Sequence, residues 1–147
     1  MKLDSYRWIM VGVVIWAAGC ASPSRDGAQR LSKARYEYNR IMRDFRVPAE
    51  EATNEVQRLV MLEQAASEYL QFTQDYGDCA PLAAAALRSL GQIHLALGEG
   101  KEALSCFEQV GQRYPGEHWE VIQAWKQAAD TLWDLSLIHI SEPTRPY

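Results

Sequence analysis

The chain has 147 residues, a formal net charge of −4 and 48% hydrophobic residues, which is enough for one small folded domain. Its cysteines and histidines form no CxxC motif and no cluster with metal-ligand spacing, so we expect no metal and no cofactor. No nucleophile stands beside a histidine base on a tight turn. We therefore predict no catalytic residue and expect that the protein is not an enzyme.

The first twenty residues have the three parts of a signal peptide. Lys2 and Arg7 supply positive charge, residues 8–16 are apolar, and small residues precede Cys20. The apolar run is about half of the ~20 residues that a bilayer-spanning helix needs. We therefore expect this segment to be cleaved rather than to remain in the membrane.

The tetrad Ala17-Ala18-Gly19-Cys20 resembles the lipobox of bacterial lipoproteins. The resemblance implies that residues 1–19 are removed, that Cys20 carries acyl chains such as palmitate, and that residues 20–27 form a linker. Two acyl chains are enough for stable anchoring. Ala21, where inner-membrane lipoproteins commonly have Asp, favours the outer membrane, with the protein facing the periplasm. An ordinary secretory peptide that is cut nearby is the alternative.

Charge is distributed unevenly along the chain. Residues 25–46 hold seven basic and three acidic side chains, whereas residues 47–134 hold five basic and fourteen acidic ones. The basic segment is interpreted as a solvated helix face, or alternatively as a surface that rests on anionic lipid headgroups beside the anchor. The acidic remainder argues against a nucleic-acid partner, because neutralising phosphates needs clustered Lys and Arg.

Apolar residues recur at three- and four-residue spacing throughout residues 28–134, and no stretch alternates with period two, so the domain is predicted to be all-α. The first helix carries the stripe Leu31, Ala34, Tyr38, Ile41 and Phe45. Pro48 is predicted to end the turn after it. A second helix is expected from about residue 50 to 75, a third from 81 to 97, a fourth ending at 114, and a fifth from 119. Cys79 and Cys106 fall too far apart on these helices for a disulfide.

The sequence also matches itself when it is shifted by 38 residues. Positions of similar character then align as Ala65 with Ala103, Tyr69 with Phe107, Phe72 with Val110, Tyr76 with Tyr114, Leu87 with Trp125 and Leu90 with Ala128. A repeat of this length in helical hairpins is typical of a solenoid, in which each unit buries its apolar face only against its neighbours.

Residues 84–117 resemble one tetratricopeptide repeat. The residues that match the pattern of that family are Leu87, Leu90, Gly91, Gly98, Ala103, Phe107 and Pro115. His94 and Val110 depart from it. The resemblance implies antiparallel helical hairpins stacked as a short TPR-like α-solenoid. It implies a packing role for Leu87, Leu90, Gly91, Ala103, Phe107, Pro115 and Trp125.

The same resemblance implies a partner-binding groove on the first helix of each hairpin. Its candidate residues are Arg88, Gln92, Leu95, Lys126, Asp130 and Trp133. Arg88 and Lys126 are expected to stand in register and to receive a carboxylate of a bound peptide, with ordinary solvated charges as the alternative. His94 is interpreted as a packing residue and His118 as an exposed loop residue. Of Trp119, Trp125 and Trp133, helical spacing predicts two in the core.

Residues 135–147 resemble the translated read-through of a sequencing adapter, so we expect a non-native tail on a truncated domain. A lipobox followed by such repeats resembles the lipoprotein of the β-barrel assembly machinery and, more loosely, the repeat protein of the Tol-Pal system. The resemblance implies an outer-membrane lipoprotein that binds other envelope proteins or peptides. The alternative is the docking region of an envelope enzyme, acting for instance on peptidoglycan, with a catalytic domain beyond Asp134.

Overall fold

The computed structural model describes the backbone of residues 25–140 and the side chains of residues 26–136. The predictions for the signal peptide and Cys20 lie outside these residues. The chain divides into two compact units, residues 1–32 and 33–147, and the boundary falls inside the first described helix. The described part is all-helical, as predicted, and contains no strand. None of its helices combines the length and the apolar character that crossing a membrane requires.

Pro48 lies inside a helix instead of ending a turn. Helix α1 (Arg25–Ile41) begins within the predicted linker 20–27 and continues through a π-helical turn (Met42–Arg46) into α2 (Val47–Glu51). A proline has no N–H to donate, and its ring crowds the carbonyl four residues back. The wider turn just before Pro48, in which the Val47 N–H bonds to the carbonyl of Met42, accommodates it without a break.

The second predicted helix begins later than expected because an asparagine caps it. Helix α3 (Glu55–Asp75) has Asn54 as its N-cap, whose side-chain oxygen accepts from the N–H of Val56 at 2.9 Å and of Gln57 at 3.3 Å. The cap satisfies donors that have no partner within the helix. Glu50 and Glu51, predicted to start this helix, end α2 instead. The end near residue 75 is confirmed.

Helices α4 (Ala80–Ala96), α5 (Gly100–Arg113) and α6 (His118–Ile140) follow after short turns, and their existence was predicted. Pro81 lies in the first turn of α4. At its C-terminal end, Gly98 has a φ of +81°, which a side chain other than glycine rarely adopts. The N–H of Gly98 bonds to Leu95 O at 3.0 Å and that of Glu99 to His94 O at 2.8 Å, which is a Schellman motif.

The core lies between consecutive helices. Helix α3 packs on α4, α4 on α5 and α5 on α6, and α4 also contacts α6. Tyr38 of α1 joins this core through its ring, whose centroid is 5.7 Å from that of Tyr69 and 5.9 Å from that of Phe72, and through a 3.4 Å contact between its hydroxyl and Ser89 Oγ. The largest fully buried side chains are those of Tyr69, Phe107, Ile41 and Val110.

The 38-residue period recurs in the backbone. Helices α3 and α5 end at Asp75 and Arg113, and α4 and α6 begin at Ala80 and His118, each 38 residues apart. The turns between them make the same hydrogen bonds. In the first turn, the N–H of Cys79 bonds to Tyr76 O at 2.9 Å, and in the second, the N–H of Glu117 bonds to Tyr114 O at 3.0 Å. The repeat found in the sequence is therefore also a repeat of local structure.

Candidate interaction surface

The predicted groove residues lie on α4 and α6, but Arg88 is already paired. Its Nε donates to Glu120 Oε2 in the first turn of α6, and both side chains are largely buried. Lys126 is exposed. The prediction that Arg88 and Lys126 form a free cationic pair is therefore wrong, because Glu120 neutralises Arg88. The ion pair ties α4 to α6 instead.

Gln92, one turn after Arg88 on α4, is also engaged within the protein. Arg46, in the π-helical turn, donates from Nη2 to Gln92 Oε1 at 2.7 Å and from Nε to Glu50 Oε1 at 3.1 Å. Gln92 thus connects α4 to the π-helical turn, and Arg88 connects it to α6. Sequence periodicity did not indicate these contacts, because their partners are 46 and 32 residues away along the chain.

Two other candidate groove residues, Leu95 and Asp130, lie close together. They line one pocket of about 340 Å³ between the C-terminal end of α4 and α6. The other lining residues are Gly98, Gly100, Gln127, Thr131, Asp134 and Leu135. Gln127 Oε1 is buried there without a hydrogen-bond partner.

The tryptophans of α6 all face solvent. Trp119, Trp125 and Trp133 have exposed fractions of 69%, 62% and 67%, so the prediction that two of them are core residues is wrong. Trp125, predicted to pack in the repeat, only rests its indole beside Gly111 of α5, where a Cβ would lie 3.1 Å from Nε1. Within the described residues, no helix covers this side of α6.

The other repeat-packing residues divide into two groups. Leu87, Leu90, Ala103 and Phe107 are buried. Gly91 is buried too, and a Cβ there would lie 2.5 Å from Phe107 Cε1, so the predicted close approach of α4 and α5 at this glycine is confirmed. Pro115 is exposed in the turn before α6, and its assignment as a packing residue is wrong.

A second groove was not predicted. It has a volume of about 560 Å³ and lies between α3 and α5, above Leu87 and Leu90 of α4. Leu70 of α3 stands in its wall and is 50% exposed. The signal for it in the sequence was Leu70 itself, an apolar residue one position away from the buried stripe of α3 that includes Tyr69.

Two potentially reactive side chains near these grooves, Cys106 and His94, are constrained by their surroundings. Cys106 lines the larger groove, and burial raises the pKa of its thiol to about 11, so that it stays protonated at neutral pH. No disulfide joins it to Cys79. His94 Nδ1 lies 2.6 Å from Glu99 Oε2, which fixes the ring at the helix end. Residues 25–140 contain no group of three or more side chains able to hold a metal ion.

Several charges of the basic first segment are paired within the protein. Arg40 donates to Glu37 at 2.8 Å and also to Glu68 of α3, and Arg43 donates to Asp44 at 2.7 Å. Lys33 and Arg35 are exposed. The cationic surface that remains for lipid headgroups is therefore smaller than the residue count suggested.

Comparisons of the chain with protein-family models, with curated proteins and with solved structures give no match. The interpretation of these surfaces therefore rests on their own geometry.

Proposed function

We propose that this protein is a scaffold that binds other proteins through a short array of TPR-like helical hairpins. The observation that carries the proposal is the recurrence, 38 residues apart, of the same helix end, the same turn hydrogen bond and the same helix start. Hairpin arrays of this kind expose long surfaces built from equivalent positions of successive units. Such surfaces suit the recognition of extended partners.

Burial supports the same proposal. Equivalent residues of α3 and α5 and of the turns after them are buried alike, as Ala65 and Ala103 are at 0%, and Tyr76 and Tyr114 at 8% and 7%. Helices α4 and α6, which occupy equivalent places in the repeat, contact each other directly. Side-by-side contact between equivalent helices is what a solenoid requires, because each unit buries its apolar face against the next one.

The pocket shared by Leu95 and Asp130 is the partner site that we favour. It combines an apolar wall with the carboxylates of Asp130 and Asp134 and with the unpartnered oxygen of Gln127. These groups select a donor-rich or cationic segment of a partner rather than a carboxylate. Because the lipobox-like tetrad ends in Cys20, the scaffold is proposed to be anchored to the outer membrane and to bind envelope proteins in the periplasm.

The anchor is tested by labelling cells with a palmitate analogue while they express the chain or its Cys20→Ala variant. We expect label on the chain, recovery in the outer-membrane fraction, and loss of both in the variant. Label that persists in Cys20→Ala would show that another residue is acylated. A chain released into the soluble periplasm without any label would favour the ordinary secretory peptide.

The partner site is tested by placing a photo-crosslinking amino acid at Asp130 or, as a matched control, at the exposed Gln112 of α5. We expect defined adducts in intact cells from position 130 and none from position 112. Substitution of Asp134 by Lys should reduce the adducts several-fold, because it reverses the charge of the pocket wall. Equal adducts from both positions, or none, would contradict the proposal.

A further inference from the structure

The groove between α3 and α5 is formed entirely within the repeat. Both helices pack on α4 and, within the described residues, not on each other, so that the surface of α4 between them is left open. All of its lining residues lie between positions 66 and 113. A helix that followed α6 would take the place that α5 has after α4, so the repeat would add another groove beside this one rather than cover it.

The groove has an apolar floor and polar walls. Leu87 and Leu90 of α4 form the floor and are 3% and 4% exposed, and Leu70 of α3, 50% exposed, stands in one wall. The walls also carry side chains that can form hydrogen bonds, which are Ser67 of α3 and Ser105 and Gln109 of α5. An extended peptide backbone has N–H and C=O groups that need partners of this kind.

A cation stands at each end of the groove. Lys101 lies in the first turn of α5 and Arg113 in its last turn, and both line the groove. Twelve positions of helix at ~1.5 Å per residue separate their backbones by about 18 Å. The guanidinium carbon of Arg113 lies over the Tyr114 ring, 5.5 Å from its centroid. Stacking of this kind leaves the N–H groups at the edge of the guanidinium free to donate.

Charge distinguishes these two cations from the rest of the acidic domain. Residues 47–134 hold five basic and fourteen acidic side chains, and two of the five, Arg58 and Arg88, are paired with carboxylates. Among the described residues, no carboxylate lies within ion-pair distance of the other three, which are Lys101, Arg113 and Lys126. Two of these three line one groove, whose single lining carboxylate is the exposed Glu102. The two ends of the groove therefore favour anionic groups.

We propose that the groove between α3 and α5 binds a short extended segment of a partner protein, with apolar side chains in its middle and an acidic side chain at each end. The apolar side chains contact Leu70, Leu87 and Leu90, and the two carboxylates pair with Lys101 and Arg113. The inference deepens the proposed scaffold function and rests on it. It adds a second binding site, and the pocket at Asp130 shares no lining residue with it.

The dimensions define the spacing of the two acidic residues in the partner. A separation of ~18 Å corresponds to about five or six residues of extended chain, at ~3.3 Å per residue. Gln109 Nε2 donates to Ser105 Oγ at 3.2 Å, and Gln109 Oε1 remains as an acceptor for a backbone N–H of the segment. A fatty-acyl chain with one anionic head would leave one cation and the polar walls without a partner. The two-ended charge thus favours a peptide over a lipid.

The probe is the amidated peptide Gly-Asp-Leu-Val-Thr-Leu-Glu-Gly with a fluorophore on its first residue, titrated with the full chain and followed by fluorescence anisotropy. A peptide of the same composition, Gly-Leu-Val-Asp-Glu-Thr-Leu-Gly, places both acids in the middle. We expect saturable binding of the first peptide and binding of the second that is weaker by at least ~5-fold, because its carboxylates meet the apolar floor. Added salt should weaken the binding of the first peptide.

Two pairs of variants of the full chain locate the binding. Lys101→Glu and Arg113→Glu should each weaken it by about 5-fold, whereas Lys126→Glu, the same change of charge outside the groove, should alter it by less than about 2-fold. Leu70→Gln should also weaken it by about 5-fold, because apolar contact is lost. Its matched control is Val60→Gln, since Val60 lies on the same helix, is 48% exposed and does not line the groove.

Several results would overturn the inference. They are the absence of saturable binding, equal binding of the two peptides, and equal weakening by Lys101→Glu and Lys126→Glu. Displacement of the peptide by palmitate at a lower concentration than by unlabelled peptide would make an acyl chain the occupant, and binding that appears only when the chain is diluted would make it a second copy. None of these results affects photo-crosslinking at Asp130. Loss of crosslinking with retained peptide binding would instead reject the pocket proposed as the partner site.

Discussion

The α3–α4 hairpin and the α5–α6 hairpin have turns of the same geometry, but equivalent side chains in them can differ in how far they are buried. Their turns are closed by the same hydrogen bond, at 2.9 Å and 3.0 Å, between equivalent residues. Leu87 of the first hairpin is 3% exposed, whereas its equivalent Trp125 is 62% exposed. Local structure is therefore set within each hairpin, while burial depends on whether another helix follows.

The comparison also explains why α6 exposes so much apolar surface. Ile122, Trp125 and Leu132 are all more than half exposed and lie on one side of one helix. Contiguous exposed apolar surface of this kind is uncommon in soluble monomers and typically marks an interaction site. The same positions on α4 show that the stripe is compatible with complete burial.

The largest expected effect is on the free energy of unfolding, and it contrasts a buried aromatic residue of α5 with an exposed one of α6. Phe107→Ala should reduce the free energy of unfolding by about 3–5 kcal/mol, because it removes a fully buried ring from the contact of α4 with α5. Trp125→Ala, which removes a larger side chain, should cost less than about 0.5 kcal/mol because that side chain is already in water. Urea denaturation of both variants measures the difference.

A cost of more than about 2 kcal/mol for Trp125→Ala would contradict the comparison, since only burial by another element could produce it. Repeating the measurement over a range of protein concentrations is the control. If the cost appears only at high concentration, Trp125 is covered by a second copy of the chain rather than from within the same chain.

The next effect concerns the glycine that differs between the hairpins. Gly91→Ala should lower the free energy of unfolding by about 1–3 kcal/mol, because the added methyl group would meet the buried Phe107 ring at 2.5 Å. This loss runs against helix propensity, which favours alanine over glycine by about 1 kcal/mol. Thermal and urea denaturation report the sign directly.

Ala129→Gly is the matched control on α6. No helix covers position 129 within the described residues, so only propensity acts, and the variant should lose about 1 kcal/mol. The double variant Gly91→Ala with Phe107→Leu should regain part of the loss. Stabilisation by Gly91→Ala alone would show that Phe107 yields and that the close approach is not required.

The sequence predicted the features that are set by neighbouring residues. Pro81 marked the first turn of α4, Gly98 marked its end, and the 38-residue shift located equivalent helix ends. Each of these depends on backbone conformation within a few residues. Asn54 was missed although Gln57 follows it at the spacing of a capping box, because the acidic pair at 50 and 51 looked equally suitable for a helix start.

The sequence could not predict which equivalent positions are covered. Trp125 has the spacing of a core residue, and periodicity alone contains no information about a following helix. Arg88 has the spacing of a groove residue, yet Glu120 reaches it from 32 residues away. Contacts between helices decide both outcomes: of the six candidate groove residues, Arg88 and Gln92 are already engaged by partners within the chain, whereas Leu95 and Asp130 line one pocket.

The helices α3 and α5, which are equivalent in the repeat, differ in how their first turns are capped. Asn54 caps α3 through two hydrogen bonds, whereas Glu99, before α5, makes no side-chain cap. Asn54→Ala should therefore cost about 1 kcal/mol, because two N–H groups lose their acceptor. Asn54→Asp keeps an acceptor and should cost little, which circular dichroism during urea denaturation measures. An equal loss in both variants would mean that the amide group acts in some other way.

The smallest effect concerns the ion pair between the two hairpins. Arg88 and Glu120 join α4 to α6, with side-chain exposures of 20% and 17%. A double-mutant cycle with Arg88→Gln and Glu120→Gln should give a coupling energy of about 0.5–1 kcal/mol, since a partly screened pair gains little beyond its hydrogen bond. The matched control is the more exposed pair of Arg58 and Glu55, for which a smaller coupling energy is expected. Added salt should reduce the second coupling more than the first, because solvent ions reach the Glu55 carboxylate, which is 65% exposed, more readily. Equal couplings would mean that the contact between α4 and α6 is held by apolar packing alone.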